Sequence, residues 1–190
     1  TDCFILDPQD KGKQMSVMVA AAKKELIDER MKLLNEVGAR PDFIGINAIA
    51  LANAFYVFGE HEEDVSKESV LALLDIGDCV SNLMILKNKL PWFTRDIFIG
   101  SQDLIPPMNQ ASDPAIPARQ EEQSGADQPE EALALPETQM MQIVQEIRLS
   151  FDYFSTEKNQ EVSRLLVTGK AAALKGLVNF LEKNLELKVS

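Results

Sequence analysis

Apolar residues run without interruption through Val70-Leu71-Ala72-Leu73-Leu74 and stop at a carboxylate, Asp75. Such a run is too short to span a membrane, and it is the pattern of a strand buried on both faces. Asp75-Ile76-Gly77-Asp78 follows as a tight acidic turn, and a second strand is predicted from about Asn82 to Lys87. Lys87-Asn88-Lys89 has the composition of a short hairpin turn, leading to a third strand from about Pro91 to Ile99. Pro91 opens that strand, where a missing N–H matters least.

A second rhythm is helical. Over Lys23 to Val37, the residues Leu26, Ile27, Arg30, Met31, Leu34 and Val37 share one face, and Gly38 supplies the stop. Ala48 to Phe58 is an alanine-rich, buried type of helix ending at Gly59. From Glu137, Met140, Ile143, Val144, Ile147, Phe151 and Phe154 recur at helical spacing, which predicts an amphipathic helix of about five turns. Short strands are expected at Ser16 to Ala21, Phe43 to Ile46 and Val162 to Thr168, with a closing helix from Ala172 to Asn184 and a last strand at Leu187 to Val189. Between Gln102 and Pro136 no apolar period survives. Six of the nine prolines lie there among Ser, Gln, Ala and acids, the composition of a disordered or loosely tethered loop.

Composition narrows the class. The chain is 45% hydrophobic and 26% charged, with a formal charge of −11. That sign argues against nucleic acid and against direct binding to an anionic membrane face. Cys3 and Cys79 offer neither a disulfide framework nor metal-ligand spacing and fit a reducing compartment. The single His61 sits among Glu60, Glu62, Glu63 and Asp64, the setting of a solvated loop histidine rather than a ligand or base. The chain starts at Thr1 without a signal peptide, and a piece of a longer cytoplasmic protein is expected.

Two glycine turns follow apolar strands: Leu74-Asp75-Ile76-Gly77 and Leu166-Val167-Thr168-Gly169. Taken alone, D-x-G is also an ordinary β-turn. After a buried strand it is also a phosphate-loop geometry in several nucleotide-binding folds, because glycine lets the backbone approach a phosphate and the carboxylate can hold a hydrated divalent cation. The order of the pieces resembles the actin-like ATPases, and specifically the PilM family of type IV pilus assembly, related to FtsA. The stretches that carry it are VMVAAAKKELIDERMKLLNEVGARPDFIGINAIALANAF, LALLDIGDCVSN, LPWFTRDIFIG, VQEIRLSFDYF and RLLVTGKAAALKGLVNFLEKNLEL.

The resemblance implies an actin-like (ribonuclease H-like) α/β fold fragment, with an incomplete first lobe and a second lobe built on a mixed sheet. Residues 1–58 would belong to the first lobe, including the end of the inserted subdomain shared by FtsA and PilM. Residues 59–190 would form the second lobe, with an insertion at about 102–136. Asp75, Gly77 and Ser81 would make the second phosphate loop, with Asp75 as the catalytic carboxylate near Mg²⁺, and Thr168 and Gly169 would open the adenosine loop. ATP and Mg²⁺ are the implied cofactors. The implied partner is the cytoplasmic tail of a bitopic inner-membrane pilus protein of the PilN type, and self-assembly is left open.

Several departures point to a degraded site. No first phosphate loop is present in this sequence. Lys170 and Ala171 follow Gly169 where relatives continue with glycine, so their side chains are expected to obstruct the adenosine. Asp78 adds a repelling carboxylate, and Gly45 and Asn47 stand where relatives often have acids. The expectation is therefore a cytoplasmic adaptor, peripheral to the inner membrane through its partner, with a degenerate nucleotide site. The alternatives are an active Mg-dependent ATPase in the full-length chain, an FtsA-like division role, and a generic α/β domain.

Limited proteolysis is expected to cut first between about Ile105 and Pro136. Earlier cleavage within Lys23 to Val37 would show that these boundaries are misplaced.

Overall fold

The computed structural model describes residues 2–5, 15, 17–58, 70–88, 90–105 and 136–190. The acidic connector around His61 and residues 106–135 of the proline-rich segment lie outside the described residues.

Strands β1 (Asp2–Ile5) and β2 (Val17–Ala20) pair antiparallel as a separate two-stranded sheet. Helix α1 (Lys24–Glu36) matches its periodicity. Its C-terminus closes with Gly38 N–H on the Asn35 carbonyl at 3.1 Å and Ala39 N–H on that of Leu34 at 2.9 Å. The line Ile27, Met31, Leu34 is half-buried, yet no residue of α1 is fully buried among the described residues.

Phe43 to Ile46 does not form the expected strand. It is irregular and exposed, and the Ile46 carbonyl accepts the Ala50 N–H at 3.1 Å, so the backbone commits to α2 (Asn47–Phe58) there. Four residues including Gly45, with no strand beside them among the described residues, lack the ladder a strand requires.

The organising unit is a five-stranded sheet in the order β5-β4-β3-β6-β7, formed by β3 (Val70–Ile76), β4 (Ser81–Lys87), β5 (Leu90–Ile97), β6 (Arg164–Gly169) and β7 (Lys188–Val189). β3 pairs antiparallel with β4 and parallel with β6, so the sheet is mixed. Pro91 lies near the start of edge strand β5, a position where a strand tolerates a missing N–H.

The continuous apolar run of β3 is explained by cover on both faces. Val70, Ala72, Leu74 and Ile76 face a core shared with α4 (Glu137–Lys158) and α5 (Leu177–Leu185). Leu73 faces the other way, where the small side chains of Ala48 and Ala52 let α2 settle against Leu73, Met84 and Leu86. The predicted stripe of α4 is the centre of the first core: Met140, Ile143, Val144, Ile147 and Phe154 are buried and Phe151 half-buried.

Two boundaries shift. Gln102 to Leu104, expected to open a loop, instead lie in a short helical turn, α3 (Ser101–Leu104), that buries Leu104 completely. The closing helix begins at Leu177 rather than Ala172, since Gly176 has a φ of +91° and the preceding residues make successive three-residue turns. A continuous α-helix cannot pass through that conformation.

Phe154→Ala should lower unfolding stability by about 3–5 kcal/mol in urea titrations, because its ring is enclosed between α4 and the sheet.

Candidate functional site

The site is assembled at the carboxyl ends of β3 and β6. Their parallel register sets Asp75 opposite Thr168 and Ile76 opposite Gly169, so the two glycine turns open on the same edge of one sheet. Edges of this kind are where open α/β sheets take ligands.

Gly169 is required there for two reasons. Its φ is +93°, and an added Cβ would lie 2.7 Å from Asp75 Oδ1, 2.5 Å from the Ile76 carbonyl oxygen and 2.8 Å from the Ile76 nitrogen. The Asp75 carboxylate thus lies against the bare Cα of Gly169. Asp75 is half-buried and makes no side-chain hydrogen bond or ion pair among the described residues. Thr168 is exposed beside it. Gly77 starts the β3–β4 turn, its N–H donating to the Val80 carbonyl at 3.2 Å.

Ser81, the other residue expected at the phosphate loop, is turned inward. Its hydroxyl is fully buried and donates to the Ile99 carbonyl at 2.6 Å, tying the start of β4 to the end of β5.

A third segment, absent from the reading of the sequence, braces the turn. Ser101 N–H donates to the Gly77 carbonyl at 2.8 Å and Gln102 N–H to that of Asp78 at 3.1 Å. The Ser101 hydroxyl reaches Asp78 Oδ1 at 3.2 Å, and Gly100 N–H donates to Asp103 Oδ2 at 2.8 Å. Gly100 is what admits this approach: a Cβ there would stand 2.2 Å from the Asp78 carbonyl oxygen and 2.5 Å from the Cys79 nitrogen. The available signal was Gly100-Ser101-x-Asp103, a helix-start pattern directly after a strand.

The two residues that looked obstructive or repulsive meet each other. Lys170 Nζ lies 3.3 Å from Asp78 Oδ1, joining the turn after β6 to the turn after β3. Both side chains are exposed, 68% and 60%, so the pair adds about 0–1 kcal/mol to stability and is screened by salt. Ala171 does not obstruct the edge, because its methyl group is fully buried in the core with α5. Gly45 lies in the exposed stretch before α2, and Asn47 is the first residue of that helix. Two cavities of about 260 and 670 Å³ run between β5 and α4; none of Asp75, Gly77 or Gly169 lines them.

The mixed five-stranded sheet with helices on both faces, and glycine turns at the ends of adjacent parallel strands, is the actin-like, ribonuclease H-like α/β architecture. A family model described as type IV pilus assembly protein PilM matches residues 3–190, and the chain belongs to that family. A solved PilM–PilN type IV pilus biogenesis complex is similar at a TM-score of 0.71 and 20% identity, over 99% of this chain and 54% of that one. The ethanolamine utilization protein EutJ from Carboxydothermus hydrogenoformans is similar at a TM-score of 0.52 and 12% identity, over 84% of this chain and 54% of that one. The chain therefore spans about half the length of these solved structures. No curated protein gives a match. Among the described residues, no helix is long and apolar enough to cross a membrane.

Gly100→Ala is expected to lower stability by about 1–3 kcal/mol, because its Cβ meets backbone that cannot swing aside. Gly169→Ala should also destabilise, and adding Asp75→Ala should not rescue it, since the clash with the Ile76 backbone persists. Thermal melts of the variants check both.

Proposed function

We propose that this chain is the PilM-type component of a type IV pilus assembly machine. In this reading it is a cytoplasmic adaptor whose nucleotide edge is retained in outline and reduced in capacity. The observation that carries the reading is the Asp78–Lys170 pair joining two glycine turns in a chain of the PilM family. The turns keep the geometry of a phosphate and adenosine site, and an ion pair bridges them. The similar PilM was solved with PilN, which supports a PilN-like cytoplasmic tail as the partner and attachment to the inner membrane through it. Residues 1–58 are assigned to a first lobe and 59–190 to a second.

The second reading, an active Mg-dependent ATPase in a longer chain, is favoured by Asp75. A half-buried carboxylate without a protein partner among the described residues, set against a bare glycine, suits a hydrated Mg²⁺, which is commonly held through one or two carboxylates. Bound there, the ion would offset the charge of a triphosphate. Gly77 and Gly169 would allow close approach, Thr168 would flank the sugar side, and Ser81 would act only by holding β4 to β5.

Calorimetry separates the two. The adaptor reading expects Mg·ATP to bind in the high micromolar range or weaker, while a peptide of a PilN-like tail binds equally with and without nucleotide. Micromolar binding of Mg·ATP that is lost on Asp75→Ala would rank the ATPase first.

A further inference from the structure

We propose that Lys170 is a phosphate-binding residue held in reserve by Asp78, so that the ion pair is a latch that an incoming polyphosphate opens. The inference rests on the reading above, that this edge takes a nucleotide.

Some of the backbone donors around the β3–β4 turn are already engaged. Gly77 N–H is given to Val80, and the N–H groups of Ser101 and Gln102 are given to the turn's own carbonyls. A phosphate approaching the edge meets two carboxylates, Asp75 and Asp78, and needs a cation close by. Lys170 brings one, on a flexible four-carbon stem with three donors.

The existing pair is built to part. At 3.3 Å it is long for a charge-assisted hydrogen bond, and both partners are largely exposed. A polyphosphate carries several charges against the single charge of a carboxylate, so the ammonium gains by transferring to it. Asp78 does not follow, because its carboxylate also accepts the Ser101 hydroxyl at 3.2 Å and its carbonyl accepts Gln102 N–H at 3.1 Å. Lys170 then supplies a cationic donor to the same edge from the β6 side. Competition by Asp78 then adds to the weakness of binding expected of the native chain.

The test titrates the whole chain by calorimetry with inorganic tripolyphosphate and, separately, with Mg·ATP. The proteins are wild type, Asp78→Asn, Lys170→Met and the double variant. Asn keeps an acceptor for Ser101, and matching melting curves check that the fold is intact. A latch predicts that Asp78→Asn binds tripolyphosphate about tenfold tighter than wild type, the order expected from losing a nearby like charge and freeing the ammonium. It also predicts that the double variant falls back to wild-type affinity or below. A double variant as tight as Asp78→Asn overturns the proposal, because repulsion by Asp78 alone would then explain the gain. So does Lys170→Met binding tighter than wild type, which would make the lysine an obstruction, and so does the absence of any gain in Asp78→Asn. A gain confined to Mg·ATP overturns the assignment to phosphate and moves the contact to the nucleoside. The adaptor reading fails separately, through micromolar Mg·ATP binding by wild type that Asp75→Ala abolishes.

Discussion

The parallel pairing of β3 with β6 is the constraint on which the rest of this molecule depends. Six pairs, from Leu71 with Arg164 to Ile76 with Gly169, set the register. A slip of one residue would turn Val70, Ala72, Leu74 and Ile76 from the α4 core toward α2 and swing Asp75, on the opposite face, toward the α4 side. It would also separate the Asp75 carboxylate from the one residue whose missing side chain leaves it room. Burial of the α4 stripe on this face of the sheet and the close approach of Asp75 to Gly169 therefore select the same register.

Around that pair the edge is stiff in its backbone and loose in its charges. The turn after β3 is closed by its own hydrogen bond, braced from below by α3, and crowded at Gly100 to the point that a methyl group would not fit. Its ionic contact is exposed and long. Under the proposed latch, such a frame would keep its geometry while the ion pair changes partner.

The periphery differs from this centre. α2 is joined to the sheet through Ala48 and Ala52, whereas β1, β2 and α1 form a sheet and helix of their own with no fully buried α1 residue among the described ones. Leu26, Leu33, Val37, Phe43 and Ile44 are exposed, so the amphipathic pattern of α1 predicts a helix correctly without disclosing what lies against it.

The sequence by itself determined the elements whose signal is local. The buried run of β3, the hairpin that follows it, the stripe of α4 and the glycine turns after Asp75 and Thr168 are all written in spacings of two or about four residues. It also determined, through the order of those pieces, the family. Tertiary structure decided where side chains with no periodic role point. Ser81 went inward to Ile99 and Ala171 into the core, and Gly100 became the seat of the β3–β4 turn. Lys170 and Asp78, 92 residues apart and each unfavourable when considered alone, became partners. The physical reason is that a contact between distant residues exists only after a non-local ladder has chosen its register, and the pattern within either strand carries no record of the residue that will stand opposite.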